Sequence, residues 1–472
     1  MDFRVESKPS EIKVVFIASN ELNLEYIKKE HLNYTGFNGE IGQVEKIVNS
    51  ENIIFFVGIG NRNKMSIDLL RKAIIALTEV LNKSKLEKIT ISLIENCNLS
   101  EEIQMKIILD TIEQCSYQFL KYKTNKKLNK LDEVLFEGLK NTSVDFTYYH
   151  NLVNGKLVAR DLVNEPANKM MPLDLANYVK ELEKNTNIQV EILDEIQIAN
   201  LKMHSYIAVA KASDEPYRLI VMRYNGNPKS KERLGFVGKG LTYDTGGLSL
   251  KSTNSMKTMK SDMGGAAAVI GAIKAISENK LKVNVTGIIA ACENSVSGRS
   301  YRPGDIIDSM AGKTIYIGNT DAEGRLTLID GVHYGIENEN ITKIIDIATL
   351  TGSIVHSLGE VATGVISNND EFYKQLECAS KETNEKVWRM PIFDEYRDML
   401  KHKEADLTNS PGSLAGGITA GLFIGEFVQN LPWIHMDIAG TSYFSEKKRG
   451  IYGGTGEGVY NLYKIAELNS MK

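Results

Sequence analysis

Two segments of the chain set ionic side chains among small ones. One runs Gly238-Lys239-Gly240-Leu241-Thr242-Tyr243-Asp244-Thr245-Gly246-Gly247, passes Lys251, and reaches Asp262-Met263-Gly264-Gly265. The other is Asn319-Thr320-Asp321-Ala322-Glu323-Gly324-Arg325. Their acids are Asp244, Asp262, Asp321 and Glu323. Taken singly, each acid is most simply a cap or a surface ion pair, and Asp262 at a helix start would gain from the macrodipole. Taken together, carboxylates converging in one pocket would repel and raise one another's pKa unless something positive sat among them. Two divalent cations would neutralise four such groups. Oxygen donors suit Mg, Mn and Zn, and bridging carboxylates hold two metals about 3.5–4 Å apart. If residues 321–325 are extended, their three charged side chains point the same way, with Ala322 and Gly324 leaving room around them.

Both segments have to be carried by strands that end beside them. Short β-branched and aromatic runs at 13–18, 53–57 and 89–93 have the length and composition of buried strands. Between the last two, Leu69, Leu70, Ala73, Ile74, Leu77, Val80 and Leu81 recur at three and four, one stripe of an amphipathic helix. Ser100 can cap a second helix, with Glu101 and Glu102 favourable in its first turn. A polar, helix-prone stretch ends at Pro166. Beyond it, strands are expected at 189–193, 218–223, 234–237, 283–290, 314–317 and 343–348, and helices at 266–277, 326–336 and 371–383. The class is α/β, with two α/β domains, 1–155 and 156–472. Alternating strands and helices favour a largely parallel or mixed sheet covered on both faces, whose ligand sites gather at carboxyl ends of strands.

Composition sets outer limits. The 472 residues carry 56 Lys+Arg against 60 Asp+Glu, a net charge of −4, which argues against a protein held over its whole surface by phosphate contacts. No apolar run approaches the roughly 20 residues of a membrane span, and the mixed-charge start has no signal-like apolar region. Cys97, Cys115, Cys292 and Cys378 form no CxxC pair and read as reduced thiols of a cytoplasmic protein. HExxH, Gly-x-Ser-x-Gly and P-loop motifs are missing. The glycine-rich run 453–458 follows no convincing strand, so tight backbone packing is preferred to a phosphate cradle.

At these residues the chain resembles the M17 leucyl aminopeptidases, the cytosol aminopeptidase family. The resemblance rests on Asn319-Thr320-Asp321-Ala322-Glu323-Gly324-Arg325-Leu326, which reads as that family's signature. Supporting it are the segments from Val237 to Gly247, from Asp262 to Ala267 and from Arg160 to Asn168, with Ala348-Thr349-Leu350-Thr351-Gly352 and Asp437-Ile438-Ala439-Gly440-Thr441. It covers residues 155–465 well and is weak in the first 150 or so.

The resemblance implies a catalytic domain with a central mixed eight-stranded sheet flanked by helices, in a homohexamer. It implies two divalent metal ions per subunit: Zn2+ or Mn2+, with Mg2+ or Co2+ as further candidates at the exchangeable position. Lys239, Asp244, Asp262 and Glu323 match the ligands of the tight ion; Asp244, Asp321 and Glu323 match those of the exchangeable one. Lys239 would ligate as the neutral amine, far below its ordinary pKa. Lys251 and Arg325 match the catalytic cations, Lys251 stabilising the oxyanion and Arg325 holding a bicarbonate general base. Met259, Asn319, Thr349 and Gly352 match positions around the bound peptide, whose free N-terminus makes the enzyme an exopeptidase. No histidine lies in either segment, and His333 and His435 read as structural.

Two other readings compete. DNA binding on the same scaffold would use Lys121, Lys123, Lys126, Lys127 and Lys130, otherwise a solvated helix end and loop. A two-metal phosphoesterase fits the acids, but not a metal-ligating lysine or the absence of histidine ligands.

Overall fold

The computed structural model describes residues 1–5, 11–19, 35–50, 52–139 and 144–470. The chain forms two compact units, Met1–Val153 with Lys447–Ile451, and Asn154–Glu446 with Tyr452–Lys472. The division falls inside the helix Phe146–Asn164.

The first unit is built on a six-stranded sheet of β1 (Asp2–Val5), β2 (Ile12–Ala18), β3 (Val44–Val48), β4 (Ile53–Gly60), β5 (Lys88–Ser92) and β6 (Glu133–Glu137), in the order β1-β6-β5-β2-β4-β3. Among the described residues of this sheet only β3 runs antiparallel to its neighbour. Helix α1 (Ile67–Leu81) starts where Ser66 accepts from the Leu69 N–H, and buries Leu70, Ala73, Ile74, Leu77 and Leu81 as the periodicity requires. Helix α2 (Glu101–Ser116) starts at the Ser100 cap with Glu101 and Glu102 in its first turn.

The second unit holds the site. Its sheet comprises β7 (Ile188–Leu193), β8 (Arg218–Asn225), β9 (Leu234–Asp244), β10 (Asn284–Asn294), β13 (Lys343–Ala348), β14 (Thr363–Ser367), β15 (Val387–Arg389) and β17 (Trp433–Asp437). The order is β15-β14-β17-β13-β9-β10-β8-β7, with the four central strands β17, β13, β9 and β10 parallel. Three short strands, β11 (Ile306–Asp308), β12 (Thr314–Tyr316) and β16 (Leu407–Thr408), make a separate sheet. The class is therefore α/β with a central mixed eight-stranded sheet.

Neighbouring residues of β9 show how the helices clasp it. A Cβ at Gly238 would lie 2.7 Å from Ala266 Cα, so helix α3 (Gly264–Glu278) rests on that face. A Cβ at Gly331 would lie 3.2 Å from Val237 Cγ1, so helix α4 (Gly324–Glu339) rests on the other. Both strand faces are buried, which is why β9 from Leu234 to Gly238 reads as small and apolar residues rather than an alternation.

β9 is also longer than the expected 234–237, and it is irregular. Lys239 pairs with Ala290 and Asp244 with Asn294, so β9 spends five steps where β10 spends four, the shift falling between Cys292 and Glu293. Side chains five apart on a regular strand face opposite ways. The bulge restores Asp244 to the face of Lys239.

Candidate metal centre

Lys239 leaves the middle of β9 and is buried. Its Nζ lies 2.8 Å from Glu323 Oε1 and 2.8 Å from Asp262 Oδ2, and donates to Asp262 Oδ1 (2.9 Å) and the Thr349 carbonyl (3.0 Å). It passes directly beneath Gly324, where a Cβ would fall 2.5 Å from Lys239 Cε. Glycine is required there by the close approach.

Asp262 follows the short turn Met259–Ser261, just ahead of α3, and accepts from Thr349 Oγ1 (2.8 Å). Asp244 ends β9; its Oδ1 accepts from the Gly246 N–H and Asn294 Nδ2, both at 2.8 Å, and its Oδ2 lies 2.7 Å from Lys251 Nζ. Lys251 also pairs with Asp321.

Residues 321–325 depart from expectation. They are not extended: Glu323 has helical φ and ψ, and α4 opens at Gly324, ahead of the expected Leu326. The three charged groups instead reach separate partners, Asp321 to Lys251, Glu323 to Lys239, and Arg325 Nη1 to the Asn409 carbonyl. Glu323 stands at the N-terminus of α4, where the positive field of the helix favours an acid.

One oxygen each from Asp244, Asp262 and Glu323 lie within 4.8 Å of one another, all three residues buried. Asp321 stands outside that trio and joins it through Lys251. All eleven sequence-predicted site residues line one cleft of about 750 Å³: the four acids and one lysine of the expected ligand set, Lys251, Arg325, Met259, Asn319, Thr349 and Gly352.

Four acids face two lysines, and burial sharpens the imbalance. Burial pushes the Asp262 and Glu323 carboxyls up, neighbouring Asp244 adding to both, and it also raises Asp321. Burial pulls Lys239 down, but Asp262, Glu323 and Asp244 outweigh it and hold the amine above the lysine range. The expected neutral lysine is thus not what the carboxylates alone produce. A cation seated among them would have to displace the Lys239 proton, so metal uptake should release a proton. Lys251 is likewise held up against burial by the same acids. Burial brings Arg325 down to about 10, which leaves it charged.

This donor set fits a cation. Glu323 Oε2 is buried with no hydrogen-bond partner, and the acids outnumber the lysines around it.

Some site features carried no sequence signal. Asn294, at the end of β10, also donates to the Thr320 carbonyl (3.0 Å), as does Tyr301 (2.8 Å). Asn409 Nδ2 donates to the Asn319 carbonyl (2.7 Å). His356 lines the cleft one turn beyond Gly352, its Nδ1 2.6 Å from the Gly352 carbonyl. His435 is buried against Asp346, and His333 lies near Gln429. The 453–458 run packs tightly: a Cβ at Gly453 would meet Asn164 Oδ1 at 2.2 Å. The lysines at 121–130 are exposed in a turn-rich segment. Among the described residues no helix is long and apolar enough to cross a membrane.

The family model described as cytosol aminopeptidase family, catalytic domain, matches residues 157–463. The same family's N-terminal domain matches residues 16–126, so the likeness extends into the region where motifs are weak. A probable cytosol aminopeptidase of Clostridium perfringens is 47% identical over 461 residues, covering 95% of this chain and 92% of the relative. One from Clostridium tetani is 44% identical, covering 99% of both chains. Among solved structures, the bottromycin maturation enzyme BotP in complex with Mn superposes with a TM-score of 0.89 at 27% identity, covering 98% of this chain and 99% of that one.

Proposed function

The chain belongs to the cytosol aminopeptidase family and is a metal-dependent aminopeptidase; from that premise we propose that it removes leucine or another bulky apolar residue from the N-terminus of peptides in the cytoplasm. Lys239, Asp244, Asp262, Asp321 and Glu323 would hold two divalent ions, Zn2+ or Mn2+, with Mg2+ or Co2+ as alternatives at the exchangeable position. Bound there, such ions supply Lewis acidity that lowers the pKa of water and polarises a carbonyl.

The chain's own groups do the rest. Asp262 holds the substrate's free α-amino group, which anchors the peptide by its end and makes the reaction exopeptidic. Met259 lines the space for the first side chain; Asn319, Thr349 and Gly352 border the peptide. Lys251 keeps its proton and faces the scissile carbonyl, where its ammonium stabilises the developing oxyanion by about 3–4 kcal/mol. Arg325 offers its planar fork to a bicarbonate, the general base of this reading, which relays a proton to the leaving amine.

The observation that carries the proposal is the buried trio Asp244, Asp262 and Glu323, with an unpartnered Glu323 oxygen in its midst. The test is exhaustive chelation followed by return of Mn2+, Zn2+ or Co2+, read on a panel of aminoacyl-p-nitroanilides with N-acetylated leucine p-nitroanilide and p-nitrophenyl phosphate as controls. Activity should vanish and return with metal, be highest for leucine-like residues and be absent on both controls. Turnover that survives chelation, or turnover of the acetylated substrate, would refute the site. Assembly as a homohexamer is part of the proposal. Exposed Trp388, Phe393 and Leu414 are apolar surface suited to subunit contacts. Gel filtration should give the mass of six 52.6 kDa subunits rather than one.

A further inference from the structure

We infer that Asn294 is a positioning residue of the metal centre: it fixes which oxygen of Asp244 faces the cleft and ties that carboxylate to the turn bearing Asp321. The inference rests on the metal-site reading above and deepens it.

The bulge places Asn294 directly opposite Asp244, at the ends of two parallel strands. The Asn294 side chain is fully buried. Its Nδ2 donates to Asp244 Oδ1 at 2.8 Å and to the Thr320 carbonyl at 3.0 Å. Both partners are acceptors only. Turning the amide over would set Asn294 Oδ1 against two other oxygens, so the neighbours dictate the orientation. Asn294 Oδ1 has no hydrogen-bond partner and lies where a Cβ on Gly247 would approach to 3.0 Å. The amide therefore gives up a hydrogen bond of its own to make these two.

The consequence for Asp244 is directional. With Gly246 N–H and Asn294 Nδ2 both on Oδ1, that oxygen is occupied, and Oδ2 is the one left facing Lys251 and the cleft. The consequence for Asp321 is positional. Thr320, its chain neighbour, has its carbonyl held by Asn294 and by Tyr301, and its hydroxyl donates to the Gly246 carbonyl at 2.7 Å. A single amide thus sets the relative placement of two carboxylates from segments far apart in sequence. Partners of this kind behind a metal ligand are worth roughly 10–100-fold in metal affinity.

The experiment compares the wild-type chain with Asn294→Ala and Asn294→Asp. The aspartate variant keeps the shape and removes the donor. Three quantities are measured: Mn2+ affinity by calorimetry after chelation, melting temperature in chelator, and kcat and KM on leucine p-nitroanilide with saturating Mn2+. Both variants should bind Mn2+ about 10–100-fold more weakly. The melting temperature of Asn294→Ala in chelator should fall far less than that loss would imply, and in both variants kcat should drop with KM nearly unchanged. Wild-type Mn2+ affinity in both variants overturns the inference. So does a melting temperature of Asn294→Ala in chelator that falls in proportion to the lost affinity, and so does failure of both variants to fold, since either makes Asn294 part of the framework. If the wild-type chain itself takes up no Mn2+, the metal-site reading fails instead, and the two failures are told apart.

Discussion

The eight-stranded sheet buries charge in two places, and they are built differently. On β13 and β17, Asp346 and His435 stand opposite each other, both buried. Asp346 accepts from His435 Nδ1 through one oxygen and from Trp433 Nε1 (2.6 Å) through the other, so one anion meets one cation and one neutral donor. At the carboxyl end of β9, four acids meet two lysines, and a Glu323 oxygen is left with no donor. Burial alone does not distinguish the two clusters. Balance of charge does: in the first one anion faces one cation, although His435 Nε2 is left without a hydrogen-bond partner, whereas the second keeps a surplus of carboxylates that a proton or an added cation must offset.

The first way to break this comparison is to unbalance the balanced cluster. Asp346→Ala would leave His435 and the Trp433 N–H buried without their acceptor, at a cost of about 3–5 kcal/mol in urea unfolding. Activity of the folded fraction should persist. Burial pulls His435 down, but Asp346, helped by Asp437, outweighs it and raises the imidazole above its ordinary pKa. A raised folded-state value means stabilisation that is complete below the unfolded pKa of about 6.5 and is lost as pH rises through the folded one. The stability gap between wild type and Asp346→Ala should therefore narrow in alkaline buffer; a gap that widens would show His435 to be neutral.

The unbalanced cluster should respond the opposite way, in function before stability. Lys251→Ala removes the cation that touches Asp244 and Asp321. We expect kcat to fall about 10²–10³-fold, near 3–4 kcal/mol, while Mn2+ content persists. Undiminished turnover would remove Lys251 from the reaction.

The contrast also explains what the sequence exposes and what it conceals. Helices at 266–277, 326–336 and 371–383 are legible because their apolar spacing is local, and they appear as Gly264–Glu278, Gly324–Glu339 and Asp370–Thr383. Strands at 218–223 and 343–348 are legible for the same reason. β14 and β17 are not, because Gly364 in one and His435 with Asp437 in the other interrupt the apolar run, and only pairing across the sheet makes them strands. The site's acids stand out through their glycine-rich company. Asn294 does not, because its role depends on a bulge between strands whose paired ends lie 50 residues apart. The expected geometry of 321–325 fails since strand alternation was assumed where a helix begins.

Gly324→Ala sharpens the comparison at smaller cost. The added Cβ would come within 2.5 Å of Lys239 Cε and 2.8 Å of Nζ. Lys239 is pinned by Asp262, Glu323 and the Thr349 carbonyl, so it yields only by leaving them. Overpacking of this kind costs about 1–3 kcal/mol. Replacing glycine at a helix start returns up to about 1 kcal/mol. The melting temperature should therefore move little, while Mn2+ uptake collapses. Retained uptake would mean that Lys239 relaxes without disturbing the acids.

The smallest expected effect lies outside both clusters. Ser100 Oγ accepts from the Ile103 N–H at 3.3 Å, a long bond at an exposed helix start. Capping changes cost about 0.5–2 kcal/mol, and this geometry belongs at the low end. Since the first unit is compact by itself, the loss should be local. Ser100→Ala should speed amide exchange across the first turn of α2 by about twofold to fivefold, the equivalent of 0.5–1 kcal/mol. Mn2+ affinity and kcat should stay at wild-type values. A shift in either would tie the first unit energetically to the metal centre, and the division of labour drawn between balanced framework charge and unbalanced site charge would need a third participant.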